Sequence, residues 1–157
     1  MIDFSKSITV SSNEIGGNEW ILDLEDIEKN TGNILVKKRM KDTKSKSDKH
    51  KFFAGNVLYS KLRPYLNKVL LADEDGYCTT EMLTFDFGRH IDSRFAQIYL
   101  MSPFFVDYAM AGAYGVKMPR IGSERGNLAL IPIPPIEEQK RIVNAVNVIS
   151  SKIKGEI

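Results

Sequence analysis

The sequence predicts an α/β fold, α+β in its packing: a small, curved, mostly antiparallel sheet packed with helices, plus a projecting C-terminal helix. Three observations carry this. The run "EMLTFDF" alternates at the period of a strand, with Leu83, Phe85 and Phe87 on one face and Met82, Thr84 and Asp86 on the other. The period then lengthens to that of a helix, with Phe95, Ile98 and Tyr99 along one stripe. Near the end, Ile142, Val146, Ile149 and Ile153 fall four, three and four apart, a heptad seam that Val143 widens.

The 157 residues suffice for one domain with a real core. No apolar run approaches the roughly 18 residues that a membrane span needs. Met1 is followed by Ile-Asp-Phe-Ser-Lys, which is unlike a secretory signal, and a single cysteine, Cys78, offers no internal disulfide framework. Cytoplasmic residence is the expectation.

Residues 1–18 read as a loosely held lead-in ending in Gly16-Gly17-Asn18. Trp20 to Leu22 form a short apolar run, and Asp23 suits the cap of a brief helix, "LEDIEKN", with Gly32 beyond its end. Ile34 to Val36 suggest a strand. Residues 37–51, "KKRMKDTKSKSDKHK", hold one apolar residue, Met40, and read as an exposed loop closed by Phe52-Phe53.

"NVLYS" and "VLLA" read as strands on either side of the loop "KLRPYLNK", in which Pro64 favours an extended Arg63. "DEDG" is a turn before the alternating run. Asp92 or Ser93 caps the first long helix, and Ser102-Pro103 restarts it, because proline is tolerated at a first helical position. Residues 112–127, "GAYGVKMPRIGSERGN", lack the periodicity of a long element. Leu128 to Ile133 form the expected last strand, with Ile131 and Ile133 finishing the core, and Pro135 opens the last helix. Glu137 and Glu138 then sit at the positive end of its dipole.

Catalytic readings find little support. His50 and His90 have no partner at a ligand or nucleophile spacing, and one cysteine with two histidines is too few for a structural zinc site. There is no P-loop, dinucleotide fingerprint, nucleophile elbow or Asn-Pro-Pro-aromatic motif. We expect no catalytic residues, no metal and no cofactor.

The charge distribution is more informative than its total of +2. Residues 1–30 hold seven acids against Lys6 and Lys29, whereas residues 37–51 hold eight bases against Asp42 and Asp48. A dense basic block suits either a solvated loop or a loop that meets phosphates. Two further places combine charge, polar side chains and a restrained backbone. One is "YSKLRPYLNK", where Lys61, Arg63 and Lys68 alternate with Tyr59, Tyr65 and Asn67; the other is "GVKMPRIGSER", with Lys117, Arg120, Ser123 and Arg125. Arginine can bridge a guanine edge with two bonds, while lysine and serine mainly grip phosphates. Arg63 and Arg120, each beside a proline, are the candidates for base contacts. Lys61, Tyr65, Lys68, Lys117, Ser123 and Arg125 are candidates for the surrounding DNA contacts, and Lys44, Lys46 and Lys49 for a mobile phosphate-seeking loop.

"IPIPPIEEQKRIV" at residues 131–143 resembles the end of a target recognition domain in specificity (S) subunits of type I restriction-modification systems. "NEWILDLEDI", "FFAGNVLYSKLRPYLNKVLLA", "CTTEMLTF" and "AGAYGVKMPRIG" resemble successive parts of the same domain. The resemblance implies a recognition domain over 1–133 and the start of a spacer helix over 134–157. It also implies a non-catalytic role: sequence-specific recognition of duplex DNA, which directs the methylating (M) and restriction (R) subunits. Glu138, Gln139 and Arg141 then belong to an exposed helix surface for partners, with Ile142, Val146, Ile149 and Ile153 as the pairing seam. A full S subunit has two recognition domains and two spacer helices. This chain therefore reads as a fragment, or as a half-size subunit with weak self-association. Two other readings stay open: a protein-interaction module acting through the last helix without reading DNA, and the specificity part of a fused restriction-methylation enzyme.

Overall fold

The computed structural model describes residues 4, 5 and 7–155. In chain order its elements are β1 (Ile8–Val10), β2 (Trp20–Leu22), β3 (Lys38–Arg39), β4 (Lys49–Phe52), β5 (Val57–Ser60), β6 (Val69–Leu71), β7 (Gly76–Thr79) and β8 (Met82–Phe85). There follow α1 (Ser93–Leu100), α2 (Pro103–Ala111), β9 (Ala113–Tyr114), β10 (Arg120–Ile121), α3 (Ser123–Asn127) and α4 (Ile136–Gly155). The α+β class holds, with strand pairing mostly antiparallel. The strands divide between a five-stranded sheet of order β1-β4-β7-β2-β3, a three-stranded sheet β6-β5-β8, and the hairpin β9-β10. One pairing is parallel, between β2 and β7.

The three-stranded sheet is the partition of the molecule. Its alternation is apolar on both faces. Val57, Tyr59, Val69, Leu83 and Phe85 point into a core shared with Phe95, Leu100 and Phe105 of the helices. Leu58, Leu70 and Met82 point into a second core with Trp20, Leu22, Phe52 and Cys78 of the other sheet. The expectation of a half-buried strand at 82–87 is therefore corrected: Met82 and Thr84 are as fully buried as Leu83. Burial among apolar groups also pushes the Cys78 thiol up to about 12, so it is a core side chain.

Locally coded elements form as expected. Asp92 caps α1 by accepting from the Phe95 N–H at 2.9 Å, and Ser102 caps α2, with Pro103 in its first turn. Other expectations are corrected. The lead-in contains β1, which pairs with β4; Met1, Ile2, Asp3 and Lys6 lie outside the described residues. The helix expected after Asp23 is one 3₁₀ turn, Leu24–Asp26, and the strand expected at 34–36 is a single bridge between Ile27 and Ile34. The basic block is only partly a loop, because its ends form β3 and β4. Phe52 is buried, whereas Phe53 is 40% exposed.

The last strand, expected at 128–133, does not form. Pro132 and Pro134 have no N–H to give a ladder. The segment is held by side chains: the Tyr99 hydroxyl donates to the Leu130 carbonyl at 3.0 Å, and the Gln139 amide donates to the Pro134 carbonyl at 2.8 Å. Ile131 packs against the helical core, but Ile133 remains half exposed and does not finish it.

Gln139 is also corrected. It is no exposed partner residue but is fully buried. Its Oε1 accepts from the Asp92 N–H at 2.7 Å and its Nε2 reaches the His90 carbonyl at 3.3 Å, so it ties the base of α4 to the start of α1.

Candidate nucleic-acid interface

The loop between β5 and β6 carries the second basic cluster. Pro64 opens a 3₁₀ turn, Pro64–Leu66, flanked by two residues in the left-handed region: Arg63 at φ 50° and Asn67 at φ 52°. The extended backbone expected for Arg63 is thus corrected. A left-handed conformation costs a non-glycine residue roughly 1–2 kcal/mol, so tertiary bonds must hold it. The Arg63 N–H donates to the Pro119 carbonyl at 2.7 Å, and the Asn67 side chain donates to the Met101 carbonyl at 2.9 Å.

The third cluster is built on β9 and β10, whose turn carries Gly115 at φ 93°. The hairpin is fastened to the end of β5. The Ile121 N–H donates to the Lys61 carbonyl at 3.0 Å, Leu62 bridges Arg120, and Ile121 is buried in the helical core. Two basic clusters that lie some 55 residues apart in sequence are therefore one edge.

Along this edge Lys61 is buried, and its Nζ donates to Ser123 Oγ at 3.0 Å. Burial lowers its ammonium pKa, the Arg120 charge adds to the fall and Glu81 opposes it. Arg120 Nη2 lies 3.0 Å from Glu81 Oε1. The Arg125 guanidinium sits 4.7 Å from the centre of the Tyr108 ring, whose hydroxyl donates to the Arg125 carbonyl. Lys117 and Tyr65 stand exposed beside them. Lys68 departs from the group: it is half-buried, and its Nζ donates to the Leu24 carbonyl at 2.7 Å.

The basic block loses much of its charge internally. Lys38 pairs with Asp26 at 2.7 Å and Glu25 at 2.9 Å, Lys37 pairs with Asp73 and Glu74, and Arg39 pairs with Glu74. Arg39 and Lys37 together hold the Glu74 carboxyl down at about 2. Lys49 is 2% exposed, which corrects its place in a mobile loop: its Nζ donates to Ser45 and Ser47 at 2.8 and 3.2 Å. Lys44 and Lys46 remain exposed, and no described acid pairs with either. Their loop leads into β4, where Lys49 lies opposite Thr79. Lys61, in turn, donates its N–H to the Glu81 carbonyl. Both basic segments thus meet the β7–β8 turn.

On α4, Arg141 makes two bonds of 2.7 Å to Glu138 on the exposed surface. Ile142 and Val143 are half-buried against the helical core, and Val146 is also half-buried. Ile149 and Ile153 are 58% and 59% exposed, so only the outer half of the seam lacks an intramolecular partner. No described helix is long and apolar enough to cross a membrane. Among the described residues no group of three or more His, Cys, Asp or Glu gathers as a metal site.

Two residues of this edge escape a sequence reading. Glu81 is an acid among cations, brought there only by strand pairing. Tyr108 has the spacing of a core residue, yet also carries Arg125.

A mixed α+β body, one gathered basic edge and a helix leading outward define a module built for contact. Comparison with known proteins gives the class a family. The type I restriction modification DNA specificity domain matches residues 5–157, and the chain belongs to that family. The EcoDI type I restriction enzyme specificity subunit of Escherichia coli is 35% identical over 100 residues, which is 64% of this chain and 22% of that protein. The fold is similar to the HsdS subunit from Thermoanaerobacter tengcongensis, with a TM-score of 0.77 and 21% identity over 99% of this chain and 40% of that one. A chain from a structural study of type I R-M complex assembly and conformational transition gives a TM-score of 0.76, with 20% identity over 99% and 45%. The chain therefore spans less than half the length of each of these relatives.

Proposed function

We propose that this chain reads a specific duplex DNA sequence as the recognition part of a type I specificity subunit. Residues 1–133 form the reader, and 134–157 begin the spacer. In this reading the chain does no chemistry. It directs methylating (M) subunits, and through them the restriction (R) subunit, to the target in the cytoplasm.

One observation carries the proposal: the tie from Arg63 to Pro119 fuses the two arginine-bearing loops into one edge. A long side chain reads a base only when its stem is fixed, and both stems are. Arg63 and Arg120 take base edges. Ser123, Lys117, Arg125 and Tyr65 line the backbone path, with Lys44 and Lys46 reaching phosphates from the neighbouring loop. Lys49 and Lys61 are buried with side-chain partners and Lys68 is bonded to the Leu24 carbonyl, so all three are left out of the contact set. The exposed Ile149 and Ile153 favour a helical partner as well, either in a longer subunit or in a weak homodimer.

The test is selection from a random duplex library with M present and absent. Enrichment of one motif with M present supports the proposal. Failure to enrich any motif at low salt defeats it and favours the protein-interaction reading.

A further inference from the structure

Glu81 stands against Arg120 inside the basic edge, and its position is not explained by stability or by affinity. Glu81 and Arg120 are 31% and 37% exposed, and a pair so accessible contributes little to folding. A carboxylate beside Lys61 and Arg120 also opposes the approach of phosphates. Its geometry points elsewhere.

The Glu81 stem is rigid. Its carbonyl accepts from the Lys61 N–H at 2.9 Å, its own N–H donates to Thr79 Oγ1 at 3.3 Å, and Met82 next to it is fully buried in the ladder with Ser60. The Arg120 stem is equally fixed, by the bridge to Leu62 and by buried Ile121. Between two fixed stems, Nη2 lies 3.0 Å from Oε1, an ion-pair contact that holds the guanidinium against the carboxylate. Arg120 Nε and Glu81 Oε2 are buried with no hydrogen-bond partner among the described residues, so the ion pair is the contact that keeps the guanidinium in place. Without Glu81, repulsion from Lys61 would displace Arg120 toward solvent and any nearby phosphate.

We infer that Glu81 is a positioning residue that holds Arg120 in the orientation needed to read a single base pair. The inference rests on the DNA-recognition reading. It assigns Glu81 to specificity at a cost in general affinity.

The experiment runs the library selection on the full chain with the M subunit, for wild type and for Glu81→Ala, Glu81→Gln and Arg120→Ala. Base preference is scored at each position. Glu81→Ala and Arg120→Ala should flatten the same base pair, with a loss of preference of about tenfold or more. Glu81→Ala should also bind a scrambled duplex at least as tightly as wild type. Its log–log salt slope should steepen by about 0.9, the signature of one more neutralised phosphate. Glu81→Gln, which keeps the shape but removes the charge of the ion pair, should weaken the same preference.

Unchanged preference in Glu81→Ala at the position lost by Arg120→Ala would overturn the inference. So would a parallel loss of all binding and of thermal stability, which marks a purely structural residue. If the wild type itself enriches no motif, the recognition reading fails and the inference falls with it.

Discussion

The backbone N–H of Arg63 donates to the carbonyl of Pro119 across 2.7 Å, joining the loop after β5 to the hairpin before α3. This bond holds Arg63 in a left-handed conformation, and it places the two prolines of the basic edge on either side of one contact. The strain and the proposed function meet at the same residue.

Arg63→Gly should separate them. Glycine adopts φ near 50° freely, so stability in urea should hold or rise by about 1 kcal/mol. DNA affinity should fall in the same protein, because the side chain is gone. A loss of stability greater than about 1 kcal/mol would mean that the arginine side chain supports the fold.

Gln139→Ala should be among the costlier single changes on α4. It removes three bonds, to Asp92, His90 and Pro134, from a fully buried site. Unsatisfied backbone groups left behind put the loss at about 2–4 kcal/mol. For a domain of this size a melting scan should show a fall of roughly 5–15 °C. Arg141→Ala, on the exposed face, should change stability by less than about 0.5 kcal/mol.

Where the sequence was legible depended on how far away each residue's partners lie. Asp92, Ser102 and Pro103 act within a turn of themselves, so the starts of α1 and α2 could be read from neighbouring residues. Gln139 looks like any polar residue of an exposed helix; its burial depends on backbone groups that the chain brings from His90 and Asp92. Pro64 biases Arg63 toward extended backbone by local sterics, and a tertiary bond overrides that bias. Lys49 reads as part of a charged loop because β7, with Thr79 opposite, becomes its neighbour only on folding, although its serine partners are local. The candidate edge was legible as two separate clusters. Their union, and the acid between them, required the strand pairing.

Acid should loosen the contact between β3 and the 73–75 turn. The Glu74 carboxyl is held at about 2, below its ordinary 4.5, by Arg39 and Lys37. A depressed carboxylate contributes stability that is fully present above the unfolded value and lost as pH falls through the folded one. The Glu74 contribution should therefore fade between about pH 4.5 and about pH 2. Comparing wild type with Glu74→Gln by denaturation over that window checks it: their difference should shrink as pH falls.

Lys44→Ala with Lys46→Ala should weaken binding to all duplexes alike. The log–log salt slope should become shallower by up to about 1.8, if each lysine neutralises one phosphate. The selected motif should not change, because phosphate contacts carry no sequence information directly.

The most direct test of the gathered edge is the ratio of affinities for the selected duplex and a scrambled one. It is measured at one salt concentration, with the M subunit, for wild type and Arg63→Ala/Arg120→Ala. The double variant should bring the ratio close to one while keeping most of its affinity for scrambled DNA. A ratio that stays at the wild-type value would show that these two arginines do not read the sequence.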